Sequence, residues 1–411
     1  MSYFEKTQIL AADSPSIDAF GKWRVSNPTT LFDSKQIVDS GSAYLDTLTR
    51  TGGSVTWNSG SASSTYLVTN TSGSYALRQT KRVFVYQPGK SQQIIMTGVF
   101  GTGVSGIKKS FGIYDNNDGL FFQQSGSSFG IVLRKTINRQ FSDTFVSQSS
   151  WNLDKMNGTG PSGNTLDLTK AQIFTLDFEW LGVGRIRYGV VQKGTLIYVH
   201  EITNYNSLNG VYMRNSNLPL RYEIGTYKAT TTGSLLRSIC STVISEGGFG
   251  GNGIRRVCTN NTGTPISSPT YGSVLSLRYN PTTSAGASLI PEQIDFLVSP
   301  GNNSPYSGRW DLLLNPTISN VPNWLNTTGS RIVQQASTPI SASAITNQGT
   351  ILATGYFSGT AGGGIGEKVS LDPFFAMGKK INGTSDTLVL AVKQIDNTYT
   401  IYPSIVVREL T

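Results

Sequence analysis

Two carboxylates stand two residues apart in Thr175-Leu176-Asp177-Phe178-Glu179-Trp180. If this segment is a strand, side chains alternate, so Thr175, Asp177 and Glu179 share one face and Leu176, Phe178 and Trp180 the other. A carboxyl pair on one strand is the raw material of glycoside cleavage, which in its retaining form needs two carboxyls about 5 to 5.5 Å apart, one as nucleophile and one as acid/base. The same pair has a structural use. The alternating run Arg185-Ile186-Arg187-Tyr188-Gly189-Val190 follows, and cross-strand ion pairs with Arg185 and Arg187 would neutralise both carboxylates.

Other residue types allow less chemistry. His200 is the only histidine, which excludes multi-histidine metal sites and leaves one conventional Ser-His-Asp arrangement, for which no Gly-x-Ser-x-Gly elbow is present. Flanked by Val199 and Glu201 in a strand-like run, it reads as a structural hydrogen-bonding residue. Asp115-Asn116-Asn117-Asp118-Gly119 offers oxygen ligands for calcium but not the downstream Glu of an EF-hand, and reads as a hairpin turn. Gly101-Thr102-Gly103-Val104-Ser105-Gly106 has neither the Lys-Ser/Thr ending nor the amphipathic helix of a phosphate-cradling loop. Cys240 and Cys258, the two cysteines, form no metal knuckle, and the sequence leaves open whether they pair. No metal and no cofactor are expected.

The elements that must position these residues are strands. Among 411 residues there are 45 glycines, and only 14% of side chains are charged, against roughly a quarter in an average soluble chain. A Gly/Ser/Thr/Asn surface interrupted by Val, Ile, Tyr and Phe runs suits strands and tight turns. Strand runs recur at Val83–Tyr86, Ile94–Phe100, Lys109–Tyr114, Leu120–Gln123, Gly130–Arg134, Ile173–Trp180 and onward. The net charge of +9 is scattered in short basic pairs, Arg255-Arg256 among them, rather than gathered in the stripe that nucleic acid requires, so no direct nucleic-acid contact is expected. No apolar stretch reaches the roughly 18 residues of a membrane helix, and the N-terminus lacks a signal-peptide core, so the expectation is cytoplasmic synthesis and no membrane.

The resulting parse is all-β. Residues 1–40 form an extended N-terminal arm, 41–290 a large antiparallel jelly-roll sandwich, and 291–411 a second, smaller C-terminal β-sandwich. The arm carries Phe20, Trp23, Arg24, Leu31 and Phe32, large side chains in a segment too short to bury them by itself. They must dock either as a strap on the chain's own body or as an anchor on a neighbouring subunit.

Two resemblances attach to these residues. The strand around Asp177 and Glu179 resembles the laminarinase-like glycoside hydrolases, whose concanavalin-like jelly roll carries Glu-x-Asp-x-Glu or Glu-x-Asp-x-x-Glu on one strand, the first Glu as nucleophile and the last as acid/base. Thr175 stands at the nucleophile position, so the resemblance implies the fold and, as an alternative function, a glycan site at Asp177 and Glu179, but not the mechanism. The arm, with Asp18-Ala19-Phe20-Gly21-Lys22-Trp23-Arg24 and Leu31-Phe32-Asp33-Ser34-Lys35, together with Phe111-Gly112-Ile113-Tyr114, Phe129-Gly130-Ile131-Val132 and Trp151 to Met156, is similar to structural proteins of tailed bacteriophages and other large DNA viruses over roughly residues 15 to 225. That similarity implies a non-enzymatic virion component, such as a head fibre, capsid decoration, collar or tail fibre. Its implied partners are capsid or tail proteins, copies of itself in a homo-oligomer such as a trimer, and a host-surface glycan.

Overall fold

A computed structural model describes residues 16–21, 23–24, 27–42, 44–137, 140–248, 253–283, 286–302, 304–341, 344–361, 364–371 and 376–410. The chain divides into two compact units, one of residues 1–80 and 86–250 and one of residues 81–85 and 251–411. The expected boundary at 290 cuts through the strand Ser288–Pro300, and the division falls instead at the Gly-rich run near 250. The sequence carries turn signals at both places, and only the pairing shows that Ile254–Thr259 and Gly272–Tyr279 belong to the second unit. Val83–Tyr86, which reads as a strand, forms none of the named strands.

Fifteen strands of the first unit are described: β1 (Thr29–Ser34), β2 (Leu45–Arg50), β3 (Ser54–Asn58), β4 (Ser63–Val68), β5 (Tyr75–Thr80), β6 (Gln92–Val99), β7 (Ile107–Tyr114), β8 (Gly119–Ser125), β9 (Ser128–Ile137), β10 (Gln140–Ser147), β11 (Gln172–Phe178), β12 (Ile186–Gln192), β13 (Thr195–Ile202), β14 (Leu220–Thr226) and β15 (Ser234–Ser245). One antiparallel sheet has the order β13-β12-β11-β6-β15-β4-β3, the other β10-β9-β8-β7-β14-β5-β2. The connections β4 to β5, β6 to β7 and β14 to β15 cross between sheets, so β6-β15-β4 in one sheet repeats β7-β14-β5 in the other. That interleaving is a jelly roll. Between the sheets lies an aromatic core in which Phe100 stacks on Phe111 at 4.4 Å and Phe174 on β11 meets Phe122 on β8 at 4.8 Å.

The Gly-rich loop after β6 holds a cation rather than an anion. Lys109, 1% exposed on the core face of β7, donates to the Phe100 carbonyl and, at 2.9 Å, to the Thr102 carbonyl. Desolvation pushes its ammonium down to about 8. Between that value and the unfolded lysine range the unfolded chain holds the extra proton, so raising the pH there stabilises the fold, by at most about 1.4 kcal/mol per pH unit. The stability of wild type relative to Lys109→Met should therefore climb between pH 8 and about 9.5 and stay level between about pH 7 and 8; a difference that does not change with pH would refute the assignment.

The second unit is also all-β. Its described strands form a sheet ordered Ile254–Thr259, Tyr399–Leu410, Ser288–Pro300 and Ile365–Ser370, with Thr264–Ile266 also on Tyr399–Leu410. A second sheet is ordered Trp324–Asn326, Val333–Ala336, Gly272–Tyr279, Thr387–Asp396, Tyr306–Leu314 and Thr350–Gly359. Ile294, Phe296 and Ile405 from the first join Leu277, Trp310 and Leu390 from the second in one buried core.

Candidate functional site

The candidate strand is β11, and the expected alternation holds along it. Leu176 and Phe178 are buried at 2% and 0% exposure, with Phe178 stacked on Tyr86 at 5.9 Å. Thr175 and Asp177 take the opposite face and Glu179 follows just past the strand end. In register, Asp177 lies opposite Arg187 of β12 and Thr175 opposite Gly189. A Cβ on Gly189 would stand 2.7 Å from the Thr175 methyl, so the glycine lets the two strands close over this face.

The face is sealed from solvent, with Asp177 and Arg187 both 0% exposed. A single carboxylate oxygen, Asp177 Oδ2, accepts from Arg187 Nη2, from Arg24 Nη2 and, at 2.9 Å, from the Tyr198 hydroxyl of β13. The Arg187 guanidinium also lies 4.2 Å from the Tyr198 ring centre, in cation–π range. Arg24 divides its fork between two carboxylates, Nη1 pairing with Glu246 and Nη2 with Asp177. Two arginines therefore balance two carboxylates. Burial by itself lowers the Arg24 guanidinium, but Asp177 and then Glu246 outweigh it and hold the group above its ordinary value. Burial first, and the Asp177 charge second, raise the Tyr198 phenol.

Glu179 has a different use. Its Oε1 accepts the Arg185 backbone N–H at 3.0 Å, and the backbone N–H of Glu179 donates to the Arg185 carbonyl at 3.1 Å. The turn is tight because Gly184 has no side chain: a Cβ there would lie 2.3 Å from Glu179 Cγ. Burial raises the Glu179 carboxyl above its usual range, which the Arg185 N–H only partly offsets. Arg185 reaches toward Glu201 at 3.6 Å rather than pairing with Glu179 through its side chain.

What covers this face is the N-terminal segment. Ser16 to Arg24 doubles back on itself, with a bridge between Ile17 and Trp23, the Arg24 N–H donating to the Ser16 carbonyl at 2.9 Å, and Gly21 turning at φ 78°. Arg185, just before β12, and Arg187 on it hold the segment down through its backbone. Arg187 Nη2 donates to the Ile17 carbonyl at 2.6 Å, Arg185 Nε to Ala19 at 3.0 Å, and Arg185 Nη2 to Asp18 at 3.2 Å. Between strap and strand, Thr175 Oγ1, Asp177 Oδ1 and Glu179 Oε2 are buried without a hydrogen-bond partner among the described residues.

Of the expected anchoring residues, Arg24 is therefore an internal ion-pair partner. Phe32 is buried on β1 against Tyr44, ring centres 5.4 Å apart, and Leu31 sits half-buried at the bulge where β1 pairs with β15. Phe20 is half-buried, and only Trp23 of the five is mostly exposed, at 61%. The described residues between 16 and 36 are thus a strap and an added sheet strand on the chain's own body, with Arg24 neutralising the buried charge of Asp177. Residues 1–15 lie outside the described part.

His200 accepts the Asn152 N–H on Nδ1 at 3.1 Å, and burial lowers its imidazole. This bond helps pin the Trp151–Met156 segment to β13. The Asp115 carboxylate is spent on the N–H groups of Asn117 and Asp118 at 2.7 and 2.8 Å, which closes the β7–β8 hairpin. Cys240 and Cys258 are free thiols. Tyr198 and Glu246 carry no sequence signal for their roles. Tyr198 reaches Asp177 next to a register shift between β12 and β13, and Glu246 lies 222 positions from Arg24.

No protein-family model matches the chain, and no curated protein sequence matches it. Solved structures similar to it include a glycosyl hydrolase family protein from Mycobacterium fortuitum, with 9% identity over 52% of this chain and 99% of that one and a TM-score of 0.37. A legume lectin-like domain from Entamoeba histolytica is 8% identical over 52% of this chain and 97% of its own, with a TM-score of 0.31. The Emp47p carbohydrate recognition domain is 9% identical over 53% and 96%, with a TM-score of 0.32.

Proposed function

We propose that this chain is a non-enzymatic structural and binding protein whose jelly roll serves as a scaffold. The observation that carries this reading is the state of Asp177, fully buried and engaged by Arg24, Arg187 and Tyr198 beneath the strap. A glycosidase carboxylate must meet the sugar ring. This one meets the chain's own N-terminal segment, and Thr175 at the nucleophile position cannot supply the missing carboxyl. Incubation with a panel of bacterial and plant polysaccharides should release no reducing ends, from wild type or from Glu179→Gln. Release by wild type that Glu179→Gln abolishes would restore the enzyme reading.

The finer part of the proposal is a virion component, made in the host cytoplasm, that joins a capsid or tail as a homo-oligomer and faces a host-surface glycan. What motivates it is the resemblance read from the arm and from the segments between residues 15 and 225 of the sequence, to which no family model and no curated relative adds. The exposed rings of Trp23 and Tyr205, at 61% and 72% exposure, add surfaces that can stack on a partner or a sugar. Among the described residues of the arm, Trp23, Ile37 and Val38 are the large apolar side chains left exposed for anchoring. Antibody labelling of intact particles tests this, and absence of the protein from them would overturn it.

A further inference from the structure

The second unit contains a groove of about 510 Å³ where edge strands of its two sheets come together, Ile254–Thr259 from one and Trp324–Asn326 with Val333–Ala336 from the other. It is a built feature. Gln335 Nε2 donates across it to the Thr259 carbonyl at 2.8 Å, and Cys258 Sγ lies 3.3 Å from Thr327 Oγ1. Its volume is in the range that takes small-molecule ligands.

The lining selects a ligand chemistry. Arg256 is held through Nε by Glu409 Oε2 at 3.1 Å, and Glu409, 4% exposed, is fixed in turn by the Ser330 hydroxyl on its other oxygen. The guanidinium is thus oriented while its two terminal nitrogens have no hydrogen-bond partner among the described residues, which is the geometry that receives a planar carboxylate. Arg255 Nε pairs with Glu292 Oε2 at 2.8 Å, and Arg408 with the other oxygen of Glu292. Three arginines (255, 256 and 408) against two glutamates (292 and 409) leave one net positive charge. Asn326, whose Oδ1 accepts from Gln334 at 3.0 Å and from Asn280 at 3.4 Å, and Thr328 also line the groove. Val257 and Leu325, 54% and 53% exposed, add apolar surface beside these donors.

We infer that this groove binds a uronate-bearing saccharide, its carboxylate on Arg256 with the charge of Arg255 nearby, its hydroxyls beside Thr328, and its C–H face on Val257 and Leu325. The choice of a saccharide rests on the glycan-facing part of the reading above. The site itself is independent of the β11 face, and the two fail separately: polysaccharide cleavage would end the non-enzymatic reading and leave the groove standing, whereas absence of binding would end the groove alone.

The test is calorimetric titration of the full chain with galacturonate and glucuronate trisaccharides, their methyl esters, sodium acetate and inorganic phosphate. At least one acid trisaccharide should bind with a Kd under about 1 mM in low salt, and its ester at least about tenfold more weakly. Arg255→Gln, at a side chain 69% exposed, and Thr328→Ala should each weaken binding several-fold, and Arg255→Gln should lower thermal stability only slightly, as the loss of a largely exposed ion pair with Glu292 does. Arg256→Lys should retain charge but lose most of the affinity. Absence of saturable binding by either acid, equal binding of acid and ester, unchanged affinity in the variants, or acetate or phosphate binding as tightly as the trisaccharides would overturn the inference.

Discussion

Arg187→Met should destabilise the first unit by about 3 to 5 kcal/mol, the cost of removing one member of a buried ionic cluster and leaving Arg24 alone to balance the Asp177 and Glu246 carboxylates. Arg187 and Asp177 are both fully buried on adjacent strands, so water cannot take the place of the lost guanidinium. Methionine fills similar volume, which keeps a cavity from accounting for the loss. Urea unfolding followed by tryptophan fluorescence measures it. The double variant Arg187→Met/Asp177→Asn should recover part of the loss, since a neutral amide costs less to bury than a carboxylate. A wild-type unfolding midpoint in the single variant would mean that Asp177 is solvated rather than clamped.

Removing residues 1–26 should cost about 2 kcal/mol or more, because it deletes the Arg24 partner of Asp177 and Glu246 and the backbone acceptors of Arg185 and Arg187, which water at the uncovered face only partly replaces. An arm built only to dock elsewhere could be cut off with the body unharmed. The structure argues otherwise: the segment contributes a charged group and at least three backbone acceptors to a sealed interface. The check is the urea midpoint of the truncated chain against that of full-length protein. Asp177→Asn in the truncated background should raise the midpoint again, whereas a truncated chain as stable as the whole one would show that the strap carries no load.

Local features of this molecule were legible along the sequence. Period-two alternation placed Thr175, Asp177 and Glu179 on one face of β11, and the spacing of Arg185 and Arg187 anticipated that Asp177 would meet a cross-strand arginine. Asp115 to Gly119 marked its hairpin because glycine alone can end it: a Cβ on Gly119 would lie 2.1 Å from that of Tyr114. Contacts distant in sequence were not legible. Arg24 meets Asp177 across 153 positions and β1 joins β15 across more than 200, and no local propensity encodes either. The arm's residues did show that they needed a surface to cover; which surface depended on tertiary register. Lys109 was hidden for a similar reason. Its strand reads as polar at that end until the loop after β6 folds two carbonyls around the ammonium.

The central claim, that the carboxylate of β11 is neutralised by the chain's own N-terminal strap, is tested most directly by a double-mutant cycle on Arg24→Ala and Asp177→Asn. A coupling energy of about 1.5 kcal/mol or more is expected for two groups in direct contact. Effects on stability that add within about 0.3 kcal/mol would show that Arg24 does not sit on Asp177, and would reopen this face of the jelly roll to substrate.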